Sequence, residues 1–101
     1  MAAFLFSYRV PNDYTPGDPA VTSAWTRWFE SMGSHVVDAG NPVFESSTLG
    51  DCGTDTTLAG YSLVNADDLN SALALAKGCP GLAHGGGIEV GVLTIVNQSA
   101  S

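Results

Sequence analysis

The stretch "GCPGLAHGGGIEV", Gly78 to Val90, gathers Cys79, His84 and Glu89 around three consecutive glycines. Several chemistries use such residues, and spacing discriminates among them. A phosphate-cradling loop needs a strand, then glycines, then a helix N-terminus whose free N–H groups meet the anion. Here a helical pattern precedes the glycines and a strand pattern follows, so the order is reversed. "HGGG" also resembles the oxyanion loop of some esterases, but no G-x-S-x-G elbow occurs in the chain. Cys79 as a nucleophile would need a base and an oxyanion site that the sequence does not specify. A buried, inert thiol is the simpler reading. His84, with a reference pKa of about 6.5, is either a proton shuttle or a loop histidine bonded to backbone. The plain reading of Gly85 to Gly87 is a turn that uses positive φ to enter the last strand.

Metal chemistry is not signalled, and no motif implies a cofactor. The two histidines, His35 and His84, and the two cysteines, Cys52 and Cys79, show no H-E-x-x-H or C-x-x-C spacing. Ser34, His35 and Asp38 are close in sequence, but a strand cannot point all three at one atom. Without a secretory signal, Cys52 and Cys79 read as free thiols.

Composition narrows the classes. With 101 residues and 10.4 kDa, the chain is expected to form one domain over 1–97, with 98–101 as a flexible tail. A chain this short buries only roughly 60–65% of its unfolded surface. Hydrophobic residues make up 45% and charged ones 13%, which argues against disorder and for apolar surface covered by another chain. Arg9, Arg27 and Lys77 face ten acidic residues, for a net charge of −7. That balance excludes a nucleic-acid footprint and disfavours anionic membrane surfaces. No apolar run approaches the ~20 residues of a membrane span. The start, "MAAFLFSYRV", lacks a basic n-region and continues as strand, so no signal peptide and a cytoplasmic location are expected.

The elements that must position these groups follow from periodicity. "AAFLFSYRV" alternates, with Phe4, Phe6 and Tyr8 on one side, and predicts a first strand. Asp18 caps a helix whose stripe is Val21, Trp25, Trp28, Phe29 and Met32, stopped by Gly33. "HVVDAG" predicts a short second strand. The turn-rich "NPVFESSTLGDCGTDTT" is expected to hold an irregular strand around Val43 to Glu45. "LAGYSLVNA" predicts a third strand. Asp67 is expected to cap a second helix with Leu69, Ala72, Leu73 and Ala76 inward, stopped by Gly78. "GIEVGVLTIV" predicts a fourth strand. The order β-α-β-β-α-β is the ferredoxin-like α+β unit: a four-stranded antiparallel sheet, order 4-1-3-2, with both helices on one face. The bare face calls for a second subunit's sheet.

"LAGYSLVNADDLNSALALAKGCPGLAHGGGIEV" resembles the second half of YCII-related proteins, the DGPF group included, where a "GGY…ADDLDEAL…A…CP" stretch leads to "GG…EV". "WTRWFESMGSHVVDAGNP" resembles the matching first helix and second strand. The resemblance implies a ferredoxin-like fold paired into a dimeric α/β barrel, and it marks Asp38 in "VVDAGNP" as the matching aspartate. The DGPF tetrapeptide is absent, with "GDCGTDT" in that region. Where YCII proteins often carry a histidine in the first helix, this chain reads "AWTRWF".

Three functions are open. In an enzyme of lyase or isomerase type, Asp38 would be the base, His84 a second acid/base, and Tyr61 or Asn41 would orient the substrate. In a binding module for a small, partly apolar metabolite, Phe6, Tyr8, Trp25 and Trp28 would line the pocket; the two tryptophans read equally as core. The third is a homodimer with a structural or regulatory role. Asp38 and Glu89 lie on opposite edge strands of one subunit. They could meet only across a dimer, where neighbouring carboxylates raise one another's proton affinity.

Overall fold

Residues 2–15 and 17–94 are described by a computed structural model. Strand β1 (Ala2–Pro11) runs antiparallel to β3 (Thr56–Ala66) and, on its other side, to β4 (Gly87–Val92). The short β2 (Val36–Asp38) pairs antiparallel with β3, so the order is β2-β3-β1-β4. This is the ferredoxin-like arrangement expected from the periodicity. On one face the alternation in β1 buries Phe4, Phe6 and Tyr8. Their partners across β3 are Val64, Ser62 and Gly60, all buried too. Fully removing a side chain such as Phe6 from water stabilises by about 1.5–3 kcal/mol.

Helix α1 (Pro19–Met32) starts as its sequence dictates. The Asp18 carboxylate accepts from the Ala20 N–H at 2.9 Å, and Pro19 fills the first turn, where no N–H is needed. Gly33, at φ 55°, ends it. Trp28 and Met32 are buried, and the Trp28 ring lies nearly parallel to Phe6 with centroids 6.1 Å apart. The Trp28 Nε1–H donates to the Leu75 carbonyl at 3.0 Å, which ties α1 to α2 (Leu69–Ala76). Ala72 and Ala76 of α2 join the same core cluster, so both helices cover one face of the sheet.

Several details differ from the sequence reading. Asp68, not Asp67, caps α2: its backbone is extended (φ −157°, ψ 178°) and its carboxylate accepts from the Ser71 N–H at 2.8 Å. Leu69 and Leu73 are 42% and 43% exposed. The inward face is Ala72 and Ala76, whose small side chains let the helix lie close on the sheet, with Leu75 partly buried beside them. His35 ends a 3-10 turn (Gly33–His35) rather than opening a strand. Its Nδ1 lies 2.9 Å from the Asn65 carbonyl oxygen, which can only accept, so Nδ1 carries the proton. Val43 to Glu45 form no strand; Pro42 makes a single bridge to Gly60, and the Val43 N–H donates to Ala59 O at 2.8 Å. Strand β4 ends at Val92, although the Leu93 N–H still donates to Ala3 O at 3.0 Å. The last part of the expected fourth strand, 95–96, and the tail lie outside the described residues.

The glycine turn also differs. Gly85 alone has positive φ, 79°, where it closes a 3-10 helix (Pro80–His84). Gly86 is needed for room instead. A Cβ there would press on the Arg9 carbonyl and sit 3.0 Å from Gly81 O.

Candidate functional site

A cleft of about 560 Å³ opens between α1, the loop that follows β2, and the start of β3. Its volume falls within the roughly 300–1,000 Å³ of small-molecule sites. Two stripes on α1 explain how one helix serves both core and cleft. Trp28 and Met32 turn into the core, whereas Val21, Trp25 and Phe29, spaced i, i+4, i+8, line the cleft. Trp25 is held by edge-on contacts, 4.9 Å from Tyr8 and 5.6 Å from Trp28 between ring centroids.

The opposite wall depends on a bulge in β3. Tyr8 pairs with Gly60 and Arg9 with Leu58, leaving Ala59 as the extra residue. There the loop after β2 lies backbone to backbone on β3. A Cβ at Gly60 would stand 2.8 Å from Asn41 O, and one at Gly40 would collide with the Tyr61 carbonyl. Only glycine permits that approach. It brings Asn41 Nδ2 to 3.2 Å from the Tyr61 hydroxyl, and this pair borders the cleft along the β3 edge. Tyr61 sits opposite Ser7 in register, so its side chain belongs to the sheet face opposite Tyr8.

Tyr8 donates from its hydroxyl to Ser62 Oγ at 2.7 Å, and Ser62 donates in turn to the Ala39 carbonyl at 2.7 Å. Burial pushes the Tyr8 phenol well above its ordinary pKa. It therefore stays protonated and acts as a neutral hydrogen-bonding group, not as a base. Among the described residues that line the cleft, none is an Asp, Glu, Lys, Arg or His.

The residues singled out in the sequence separate accordingly. Tyr8, Trp25, Asn41 and Tyr61 are brought together around the cleft. Phe6 and Trp28 are core residues, 0% and 6% exposed, and do not line it. Asp38 is exposed, and its carboxylate accepts from the Gly40 N–H at 2.8 Å in a tight turn. Its neighbours Ala39 to Phe44 line the cleft, but Asp38 does not. His84 is exposed beside a second depression of about 420 Å³, shared with Arg27 and Ser31. Glu89 is exposed on β4, opposite Ser7 of β1. Cys52 is an exposed free thiol; Cys79 is buried, and burial pushes its thiol pKa up. Among the described residues no group of three His, Cys, Asp or Glu could hold a metal ion.

Sequence reasoning missed Tyr14, Phe44 and the bulge at Ala59 as parts of the site. Tyr14 and Phe44 lie in aperiodic segments that carry no signal. Val21 and Phe29 were visible, but as core; the i, i+4, i+8 spacing with Trp25 was the available clue. In comparisons with known proteins, the chain matches no family model and no curated protein.

Proposed function

We propose that this chain binds a small, partly apolar molecule in the cleft between α1 and β3, as a homodimeric, cytoplasmic protein of the YCII-related type. The observation that carries the reading is the cleft itself: aromatic walls, uncharged polar groups, and a volume suited to a metabolite. The motif resemblance supports the family, and the bare sheet face supports the dimer. The two free thiols, Cys52 and Cys79, fit a reducing compartment. Binding takes precedence over acid–base catalysis because Asp38 and His84 stand off the cleft and Tyr8 holds its proton. Catalysis would require a second subunit to carry a carboxylate or imidazole to the cleft mouth.

A fragment screen by protein NMR tests this. Hits should shift the Trp25, Asn41 and Gly60 amides while leaving those of β4 unmoved. A library of several hundred small apolar fragments that moves none of the three amides would overturn the reading.

A further inference from the structure

We infer that the cleft takes an uncharged, planar aromatic molecule whose polar group is a neutral hydrogen-bonding one, such as a phenolic hydroxyl. This rests on the reading of the cleft as a small-molecule site.

Charge gives the first argument. An anion entering the cleft would meet no cation on its walls, within a chain of net charge −7. The Arg9 guanidinium is engaged elsewhere, donating to Thr56 Oγ1 at 3.0 Å and Thr56 O at 2.7 Å. A cation would meet no carboxylate. Asp13, Asp18, Asp38 and Glu45 are chain neighbours of cleft residues, but all four are exposed to solvent, and Asp18 and Asp38 are turned to the backbone N–H groups of Ala20 and Gly40. Desolvating an ion without a charged partner is costly, so an anion is selected against most strongly, and a cation finds ring faces alone to offset its lost hydration.

Aromatic content gives the second. Tyr8 and Tyr14 line the cleft with Trp25, Phe29 and Phe44, and Tyr61 meets it at the β3 edge, whereas the three Lys and Arg residues and both histidines lie outside it. Aromatic rings accept a flat partner by offset stacking or edge-on contact at centroid separations of about 4.5–7 Å. Trp25 is the fixed platform, since Tyr8 and Trp28 brace it edge-on. A saturated ring of equal carbon count is thicker and has no quadrupole to match. The polar groups are the third argument. The Tyr8 hydroxyl is already donated to Ser62, but the Tyr14 phenol and the Asn41 carboxamide are uncharged groups that both donate and accept, so a hydroxyl satisfies them and an ion does not.

Calorimetric titration of the full chain at pH 7 with four probes tests the inference: 2-naphthol, its saturated analogue decahydro-2-naphthol, 2-naphthoate and 2-naphthyltrimethylammonium. The Trp25 and Gly60 amides, followed by NMR, report the site. 2-Naphthol should bind tightest, and each of the other three roughly 3- to 10-fold weaker, one lost stacking contact or unmade hydrogen bond being worth about that factor. In Trp25→Leu the advantage of 2-naphthol over its saturated analogue should fall towards unity. If this variant does not fold, the wild-type series alone decides. Equal or tighter binding of either ion, or of the saturated ring, with the same amides moving, overturns the aromatic, uncharged class and leaves a small-molecule cleft. If no probe moves those amides, the inference and the reading beneath it both fail.

Discussion

Gly86 separates two reasons for a glycine. Its φ is ordinary, but the Arg9 and Gly81 carbonyls leave no space for a side chain. Gly86→Val should therefore destabilise by about 1–3 kcal/mol through overpacking. A urea midpoint equal to the wild type's would show that the turn opens without strain. Tyr8 and Cys79 make a pH-dependent case. Burial raises both pKa values, so the folded chain keeps protons that the unfolded chain releases at about 8.5 for a thiol and about 10 for a phenol. The stability they represent is complete below about pH 8.5 and is lost as pH rises through the folded values. Denaturation midpoints from pH 7 to 10.5 should fall, and less steeply in Cys79→Ala; a flat wild-type profile would contradict the burial. Sequence made Tyr8, Trp25, Asn41 and Tyr61 legible as residue types suited to a site. It could not separate Trp25 from Trp28, because both sit on one apolar stripe and only the tertiary fold decides which half faces Phe6. Asp38 and Asp68 show the same limit: an aspartate beside a turn reads alike whether it serves a ligand, a cap or the turn.

At the scale of elements, periodicity carried most of the information. The alternation of Phe4, Phe6 and Tyr8 and the caps of α1 are local signals, and β1 and α1 stand where those signals put them. The wall of the cleft is different in kind. The loop after β2 takes its path from close contact with Gly60, more than fifteen residues further on, and no local pattern encodes that. The first turn of α1 links the two levels. Asp18 caps the end of the helix from which Val21 and Trp25 reach the cleft. Asp18→Ala should cost about 1 kcal/mol of stability. It should also weaken cleft ligands more than Asp68→Ala, since α2 contributes no residue to the cleft. Equal effects of the two variants on ligand affinity would show that fraying of α1 does not reach the site.

For the whole molecule, the sheet face away from the helices is the surface that neither helix covers. Leu5 and Leu63 stand opposite each other in register on that face and are only half-buried. The edges are β2, with three residues, and β4, with six, and unpaired edges invite association. A second copy placed face to face would cover both leucines. It would pair β2 of one chain with β4 of the other, over on the order of 1,500 Å² in total. In that arrangement Asp38 would approach Glu89 or His84 of the partner subunit, the one route by which these groups could share a site. The expected outcome is a dimer in sedimentation at micromolar concentration. Leu5→Glu should dissociate it, because a buried carboxylate without a partner is expensive and its mate would repel it. The helix-side core, which Leu5 does not join, should keep its fold. A wild-type chain that sediments as a monomer would remove the dimer. A Leu5→Glu dimer as tight as the wild type would keep association but move the interface to another surface, such as the one that carries the exposed Leu69 and Leu73 of α2.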